Sequence, residues 1–286
     1  MGMMVKEALD IARRNLSGAG IEESKVDAEL LLCYMLNLDK SGLFMIWSKN
    51  LDDDQCDRYF ALVDQRSTRK PLQHITGKQA FMGMEFIARE NVLIPRPETE
   101  LLVEEVIKYV ESTGKKCSIL DLCCGSGIIG ISLDKLLKGA KVTCSDLSGD
   151  AVKLTEDNAK ALKSSVNVLR GDLFQPFKGR LGNKKFDIIV SNPPYIESMV
   201  IDTLEPEVAA YEPRLALDGG ASGLEIYKKI AAEAGEHLKK KGALFLEIGH
   251  NQGPALKEIL EGTGIFAEVE VMKDYNGFDR MVKAVL

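Results

Sequence analysis

The sequence DLCCGSGIIG, residues 121–130, joins an apolar run typical of a strand to an apolar run typical of a helix. Glycines at 125, 127 and 130 permit a tight turn, close approach of a ligand to the backbone, and close packing of the helix on a sheet. A strand, a glycine turn and a helix in this order are typical of a doubly wound α/β sheet. The stretch therefore predicts an α/β fold with a ligand site at the end of this strand.

Acidic residues follow the predicted strands of this region. Asp121 precedes the glycine turn, Asp146 follows the second strand, and Asp172 follows the third. A glycine turn with a later acid also describes dinucleotide binding, in which the acid holds ribose hydroxyls. Asp121 would repel a pyrophosphate but would attract the cationic amino-acid end of S-adenosylmethionine. The pattern therefore favours S-adenosylmethionine, and a nicotinamide dehydrogenase stays a distant alternative.

A second informative stretch is VSNPPY, residues 190–195, which follows the apolar run 186–190. Two prolines end any strand there, because proline cannot donate to a β-ladder and restricts its predecessor. The Asn192 side-chain oxygen and the Pro193 carbonyl can each accept one N–H of a planar amide or amine. Tyr195 offers an aromatic face for stacking. This arrangement predicts methyl transfer to a weakly nucleophilic planar nitrogen, against the simpler interpretation of a rigid surface turn.

Two regions with different sequence patterns precede the glycine turn. Residues 5–69 carry apolar stripes at helical spacing and predict a small helical domain without a catalytic constellation. Residues 71–97 are rich in glycine, phenylalanine and β-forming residues, and predict a hairpin followed by a stiff Pro-x-Pro elbow. The predicted domains are a helical bundle at 1–72, a hairpin linker at 73–97 and an α/β domain at 98–286.

Strand and helix patterns alternate after the tetrapeptide. They predict a mostly parallel sheet that closes with an antiparallel pair joined near residues 276–277. His237 is predicted on a solvated helix face, and His250 follows a strand end near the expected site. Arg96, Glu98 and Glu247 are candidates for lining the site, and we assign no role to these three residues or to His250.

Composition limits the classes of function. The 286 residues are 45% hydrophobic and 28% charged, with a net charge of -6, which is typical of a globular protein and argues against sequence-independent binding to nucleic-acid backbones. No apolar stretch is long enough for a membrane span, and the first residues lack a signal peptide's apolar centre, so a cytoplasmic location is expected. The six cysteines lack metal-ligand spacing, and we expect no metal site.

Ordered sequence blocks resemble the peptide-chain-release-factor glutamine methyltransferases (PrmC, also called HemK). The resemblance covers nearly the whole chain and is weakest in the helical region. Its blocks are PLQHITG (71–77), IPRPETE (94–100), NPPY (192–195), EPRLALDGG (212–220) and LEIY (224–227).

This resemblance implies methylation of the side-chain amide nitrogen (N5) of the glutamine in the Gly-Gly-Gln loop of class-1 release factors. It implies a Rossmann-like, seven-stranded class I methyltransferase domain behind a helical domain that docks the release factor. S-adenosylmethionine is the implied cofactor and S-adenosylhomocysteine the product. The chain is expected to be a monomer without direct nucleic-acid or membrane binding.

The site residues fall into two sets. The catalytic and substrate-binding set is Asn192, Pro193, Pro194 and Tyr195. The cofactor-binding set is Asp121, Leu122, Cys123, Cys124, Gly125, Gly127, Asp146, Leu147, Asp172, Leu173 and Asn192. Cys123 and Cys124 depart from the small residues usual in the family, which affects fine contacts more than the site. The alternatives are a nucleic-acid adenine-N6 methyltransferase and a non-catalytic cofactor-binding partner module.

Overall fold

The computed structural model describes residues 2–114, 116–179 and 183–286. The chain forms two compact units. Unit 1 contains residues 1–78 and 205–211, and unit 2 contains residues 79–204 and 212–286. The chain therefore returns to unit 1 once after entering unit 2. The predicted boundary at residue 72 differs from this division, and the pattern analysis did not predict the returning segment.

Unit 1 is helical, as its apolar spacing predicts. Buried residues from the long helices, including Val5, Ala12, Leu31 and Val63, form one hydrophobic core. Its elements are β1 (Met3–Met4), α1 (Val5–Gly18), α2 (Ser24–Leu36), α3 (Lys40–Met45), β2 (Asn50–Leu51), α4 (Asp53–Ser67) and α5 (Leu72–Thr76).

The segment 205–211 includes a short helix (Pro206–Ala209) and is held to unit 1 by ion pairs. Glu207 accepts hydrogen bonds from Arg66 at 3.0 Å and from Arg69. Arg66 also donates to Asp27 at 2.7 Å, and both of these side chains are nearly buried. The segment is thus part of the folded helical unit.

Residues 72–76 form helix α5, although they were predicted in the hairpin region. Leu72 and Ile75 pack on the core of unit 1, and Gly77 ends the helix at φ 71°. The hairpin itself begins later, with β3 (Lys78–Phe81) and β4 (Met84–Ile87). Met82 and Gly83 connect these strands with φ 49° and 71°, the paired left-handed conformation of a tight hairpin turn.

Unit 2 contains a seven-stranded sheet built from the described residues. Its strands are β5 (Ser118–Leu122), β6 (Lys141–Asp146), β7 (Asn167–Arg170), β8 (Phe186–Ser191), β9 (Leu238–Glu247), β10 (Glu268–Lys273) and β11 (Asp279–Val285). Their order is β10-β11-β9-β8-β5-β6-β7. The five strands from β9 to β7 pair in parallel, whereas β11 pairs antiparallel with β9 and β10. The predicted α/β class and the antiparallel closing pair are confirmed.

Helices connect these strands and cover the sheet. In unit 2 they are α6 (Thr99–Thr113), α7 (Ile128–Leu136), α8 (Gly149–Ala161), α10 (Arg214–Leu217), α11 (Glu225–His237) and α12 (Gly253–Gly262), while α9 (Pro206–Ala209) belongs to unit 1. Two buried clusters of apolar residues flank the sheet. Among the described helices, none is long and apolar enough to cross a membrane.

The prediction that His237 is solvated was wrong. His237 is fully buried at the end of α11, where its ring stacks on Phe174 at 4.6 Å. Its Nδ1 lies 3.1 Å from the carbonyl oxygen of Lys184. Phe174 and Phe177 come from the segment after β7, which covers this last helical turn. Helical spacing alone could not show that covering segment.

Candidate active site

A cleft opens in unit 2 at the carboxyl ends of the central parallel strands. Its volume is about 870 Å³, including the solvent space at its mouth. It is lined by residues that follow β5, β6, β7 and β8, among them Cys123, Asp146, Leu173 and Asn192. The strand order reverses at β5, and ligands of open α/β sheets bind at such a reversal. The cleft therefore lies where the sequence predicts a ligand site.

The glycine turn presents its backbone to this cleft. Cys123, Gly125 and Gly127 have φ of 59°, 56° and 78°, so the chain between β5 and α7 is left-handed at three positions. A Cβ on Gly125 would meet only Val92, at 4.0 Å, because this glycine faces open space. A Cβ on Gly127 would instead lie 2.6 Å from Thr155 of α8. Gly125 thus serves the cleft, whereas Gly127 permits close helix packing.

Asp121 and Cys124 lie beneath the turn and do not line the cleft. Asp121 is fully buried, and its Oδ2 accepts a hydrogen bond from the Gly130 amide at 2.8 Å. Burial raises the pKa of the Asp121 carboxyl to about 7. Cys124 is buried with its Sγ 3.5 Å from the hydroxyl of Thr155. Both side chains support the turn, a position that follows from a central parallel strand being buried on both faces.

Asp146 forms the floor of the cleft. Its Oδ2 accepts from the Gly125 amide at 2.9 Å and its Oδ1 accepts from the Ser148 amide at 2.8 Å. Burial raises the pKa of this carboxyl, although the backbone hydrogen bonds oppose the shift. Each carboxylate oxygen has a further lone pair, so Asp146 can accept two more hydrogen bonds from a ligand. Leu147 and Leu173 add apolar surface beside it.

The charged side chains that line the cleft are all acidic. Asp146, Asp172 and Asp218 line it, and its described lining contains no lysine, arginine or histidine. The Gly125 amide, which would face a pyrophosphate in a dinucleotide site, already donates to Asp146. The cleft therefore fits a cationic ligand with an apolar part and does not fit a phosphate.

Two residues of the predicted tetrapeptide reach the cleft. Asn192 and Pro194 line it, whereas Pro193 is buried and Tyr195 is half-buried against the sheet. Burial raises the pKa of the Tyr195 hydroxyl to about 12. The Nδ2 group of Asn192 donates to the Thr99 hydroxyl at 3.4 Å. The side-chain amide of Asn192 is thus held at the carboxyl end of β8.

Backbone contacts fix the tetrapeptide in place. Gln252 donates from Nε2 to the carbonyl of Tyr195 at 2.9 Å, and its Oε1 accepts from the Gly249 amide at 2.9 Å. The next residue, Ile196, pairs with the strand-like segment at Leu217 to Gly219. A Cβ on Gly219 would lie 2.6 Å from the Tyr195 Cα, so this glycine permits the close approach.

These supports include residues that the pattern analysis missed. Gln252 follows strand β9 by five positions, and a polar residue after a strand end was the one available signal. Arg96 forms a two-oxygen ion pair with Glu212, both distances being 2.9 Å, and so joins the Pro-x-Pro elbow to the EPRLALDGG block. His250 is exposed and lies beside Phe278, with ring centroids 6.1 Å apart. It does not line the cleft.

Comparison with known proteins agrees with this architecture. A family model described as "PrmC N-terminal domain" matches residues 7–77, and one described as "Methyltransferase small domain" matches residues 97–208. A methyltransferase from Pyrococcus furiosus has a TM-score of 0.52 and 16% identity, covering 72% of this chain and 90% of its own. The N-terminal domain of human METTL16, solved with SAH, has a TM-score of 0.52 and 15% identity, covering 88% and 93%. These two likenesses concern the fold alone.

Two curated relatives extend along the whole chain. The release factor glutamine methyltransferase of Geobacter sulfurreducens is 38% identical over 97% of this chain and 95% of its own length. The relative of the same name from Clostridium acetobutylicum is 38% identical over 99% of both.

The fold and the cleft define the class: an S-adenosylmethionine-dependent α/β methyltransferase. Within that class, the identity along the full length is decisive. The chain belongs to the release factor glutamine methyltransferase family.

Proposed function

We propose that this chain transfers a methyl group from S-adenosylmethionine to the side-chain amide nitrogen (N5) of the glutamine in the Gly-Gly-Gln loop of class-1 release factors. The observation that carries the proposal is the acidic and apolar cleft, free of described basic residues, that opens at Asn192. The curated relatives that carry the name release factor glutamine methyltransferase support it. The enzyme acts as a cytoplasmic monomer, and its helical unit docks the release factor.

The cofactor cleft is proposed to work through shape and charge. S-adenosylmethionine supplies a methyl group bonded to a positively charged sulfur. Asp146 would hold the ribose hydroxyls with its remaining lone pairs, and Leu147 and Leu173 would supply apolar surface for the adenine. Gly125 lets the ligand approach the backbone. Leu122, Cys123 and Asp172 complete the walls of this part of the cleft.

The substrate amide is proposed to bind at the tetrapeptide. The Asn192 side-chain oxygen and the Pro193 carbonyl each accept one N–H of the glutamine, which turns the nitrogen lone pair toward the cofactor side of the cleft. Pro194 lines the cleft beside this amide, whereas Tyr195 packs against the sheet and supports the tetrapeptide there. The two oxygens stabilise positive charge as it develops on the nitrogen. No base has to deprotonate the substrate amide before attack. Methylation makes its nitrogen acidic, and the nitrogen then loses a proton to water.

The direct test uses labelled S-adenosylmethionine and three acceptors in parallel: a release factor, its variant with Gln→Ala in the Gly-Gly-Gln loop, and DNA. We expect label on the loop glutamine alone, mapped by peptide mass. Label on DNA would support an adenine methyltransferase instead. Bound cofactor without transfer to any acceptor would support a binding module.

A further inference from the structure

The orientation of the Asn192 amide decides whether the proposed chemistry is possible. An asparagine side chain has an oxygen that accepts and a nitrogen that donates, and its hydrogen-bond partners determine which end faces a ligand. A substrate N–H needs the oxygen. If Nδ2 faced the cleft instead, it would repel the substrate's own N–H groups. Something behind Asn192 must therefore hold its nitrogen away from the cleft.

Two buried side chains lie behind Asn192. Thr99 begins helix α6 and Glu247 ends strand β9, and each is 1% exposed. The Nδ2 of Asn192 donates to the Thr99 hydroxyl at 3.4 Å. Thr99 and Asn192 lie close enough to the Glu247 carboxyl to lower its pKa against the effect of burial. Neither Thr99 nor Glu247 lines the cleft, so neither is placed to touch a substrate.

The carboxylate of Glu247 can accept further hydrogen bonds. Its Oε2 is buried and has no hydrogen-bond partner in the part of the chain that the structure describes. A buried carboxylate is costly, and replacement by an apolar group of similar size is often neutral or stabilising. Glu247 is therefore poorly explained as a stabilising residue. Its position behind Asn192 offers a different explanation.

We propose that Glu247 and Thr99 are positioning residues that hold the Asn192 amide with its nitrogen inward and its oxygen toward the cleft. The inference rests on the proposed function for its catalytic consequence, but the contact itself does not. The ionised carboxylate accepts, directly and through the Thr99 hydroxyl, and so binds the donor end of the amide. A protonated carboxyl can donate to the Asn192 oxygen and release the amide to turn.

Burial raises the pKa of the Glu247 carboxyl to about 7, which places this change within an accessible pH range. Arg280 and Glu98 also face the carboxyl, the first favouring and the second opposing its ionisation. Tyr195 and Tyr227 lie beside it as well. Burial raises the pKa of Tyr195 to about 12 and holds the pKa of Tyr227 well above its usual range, so both phenols stay neutral near pH 7.

The contact can be tested without activity, by NMR of cofactor-free protein labelled with ¹⁵N-asparagine. The Asn192 side-chain signals are identified by their loss in Asn192→Ala. We expect them to shift with a midpoint of about 7 in the unsubstituted protein and to be independent of pH over this range in Glu247→Gln. Glu98→Gln should keep the transition, which separates the two carboxyls. Signals that do not titrate, or that titrate equally in Glu247→Gln, would overturn the proposal.

Kinetics test the consequence. With release factor as substrate, Thr99→Val should lower kcat by roughly 10- to 100-fold with little change in KM, because the amide is misplaced by less than an ångström or turned. Thr99→Ser should restore most of kcat. Glu247→Gln should lower kcat and remove the rise of kcat with pH near 7.

The matched control is Asp187→Asn, near the amino end of β8 and thus at the opposite end of the strands from Asn192. Asp187 accepts hydrogen bonds from Ser118 and Lys239, so its loss should lower stability and leave kcat unchanged. Full kcat with an unaltered pH profile in Glu247→Gln would overturn the positioning role. If the unsubstituted protein methylates no release factor while the NMR transition depends on Glu247, the proposed function fails and the positioning contact stands.

Discussion

Asn192 is the residue on which the proposed transfer depends most directly, because its side-chain oxygen is the acceptor at the meeting point of cofactor and substrate. We expect Asn192→Ala to lower kcat by roughly 10²- to 10³-fold, the typical effect of removing one preorganised polar group from an active site. Cofactor affinity should stay within about threefold, since the walls around Asp146 and Leu173 remain. Single-turnover kinetics and calorimetric titration with S-adenosylmethionine measure the two quantities.

The exposed Asn167, at the start of β7, provides the control for this variant. Asn167→Ala should leave both quantities unchanged. Equal losses of turnover and cofactor affinity in Asn192→Ala would make Asn192 mainly a cofactor ligand.

We expect Gly125→Ala to weaken S-adenosylmethionine binding in addition to straining the backbone. It has φ 56°, and alanine in this region costs about 1–2 kcal/mol of folding free energy. Gly114 has φ 63°, and a Cβ added there would meet no atom within 4 Å, so Gly114→Ala carries the same strain away from the cleft. We expect equal losses of stability but a weaker S-adenosylmethionine affinity only in Gly125→Ala, as measured by calorimetry. Equal affinities would show that ligand does not approach this glycine.

Asp121 should make the stability of unit 2 depend on pH. Its carboxyl titrates at about 7 in the folded chain and at about 3.9 in an unfolded chain. Because the folded state binds the extra proton, this stabilising contribution is full below the lower value and is lost as pH rises to about 7. Asp121→Asn stays neutral and can still accept from Gly130, so its free energy of unfolding should fall less over this window. Urea unfolding at several pH values measures the slope.

The slope should be reduced and not abolished, since the Glu247 carboxyl also titrates at about 7. Asp187→Asn is the comparison. The pKa of Asp187 is lowered, with hydrogen bonds from Lys239 and Ser118 outweighing its burial, so that variant should keep the fall near neutral pH. An unaltered slope in Asp121→Asn would mean that Asp121 is ionised in the folded chain.

At the scale of elements, the tetrapeptide depends on the turn after β9. Gln252 ties that turn to the Tyr195 carbonyl at 2.9 Å. Gln252→Ala should cost about 1–2 kcal/mol of unfolding free energy, the value of one or two hydrogen bonds, and should lower kcat with release factor while cofactor affinity is kept. Denaturant unfolding and steady-state kinetics measure these effects. The exposed neighbour provides the control, and Asn251→Ala should behave as the unsubstituted protein.

Close packing against the tetrapeptide accounts for two glycines, one in the EPRLALDGG block and one just after it. Gly219 and Gly223 both lie against the backbone of Tyr195, where a Cβ would overlap its atoms. Arg96 and Glu212 anchor the start of that block. The block therefore packs against the tetrapeptide and supports its backbone conformation. If Gln252→Ala left stability and kcat unchanged, this support alone would suffice.

At the scale of the whole molecule, the returning segment 205–211 is a structural part of unit 1. Glu207 joins Arg66 and Arg69, and the Arg66 side chain is only 8% exposed. Hydrogen bonds from Arg69 and Arg66 lower the pKa of Glu207 despite its burial. Glu207→Gln should therefore lower the unfolding free energy of unit 1 by about 1–3 kcal/mol, since among the described residues Arg66 then keeps only Asp27 as a charged partner.

Trp47 is the single tryptophan of the chain and lies in unit 1, so its fluorescence reports the unfolding of this unit. Glu205→Gln is the control, because Glu205 is 77% exposed and pairs only with Arg69 among the described residues; its effect should be within about 0.5 kcal/mol. Equal midpoints for both variants would show that the segment contributes little to unit 1.

Local sequence patterns were enough to predict the alternation of strands and helices in unit 2 and the place of the cleft. Glycines at 125 and 127 permit a left-handed turn, and the prolines after Asn192 end the strand. These are constraints of the local backbone, so a pattern within about ten residues expresses them. Asp146 was found for the same reason, because it lies at the end of a strand.

Contacts between side chains that are distant in the sequence depend on how the elements pack. Asp121 lies beneath the turn and His237 is covered by the segment after β7, although local spacing predicted a ligand contact and a solvated face. Thr99, Asn192 and Glu247 lie far apart in the chain and converge because the start of α6 and the ends of β8 and β9 meet at one edge of unit 2. Periodicity records which face of an element is apolar, but it does not record which distant element covers that face. The partners of buried polar groups are therefore a property of the assembled fold.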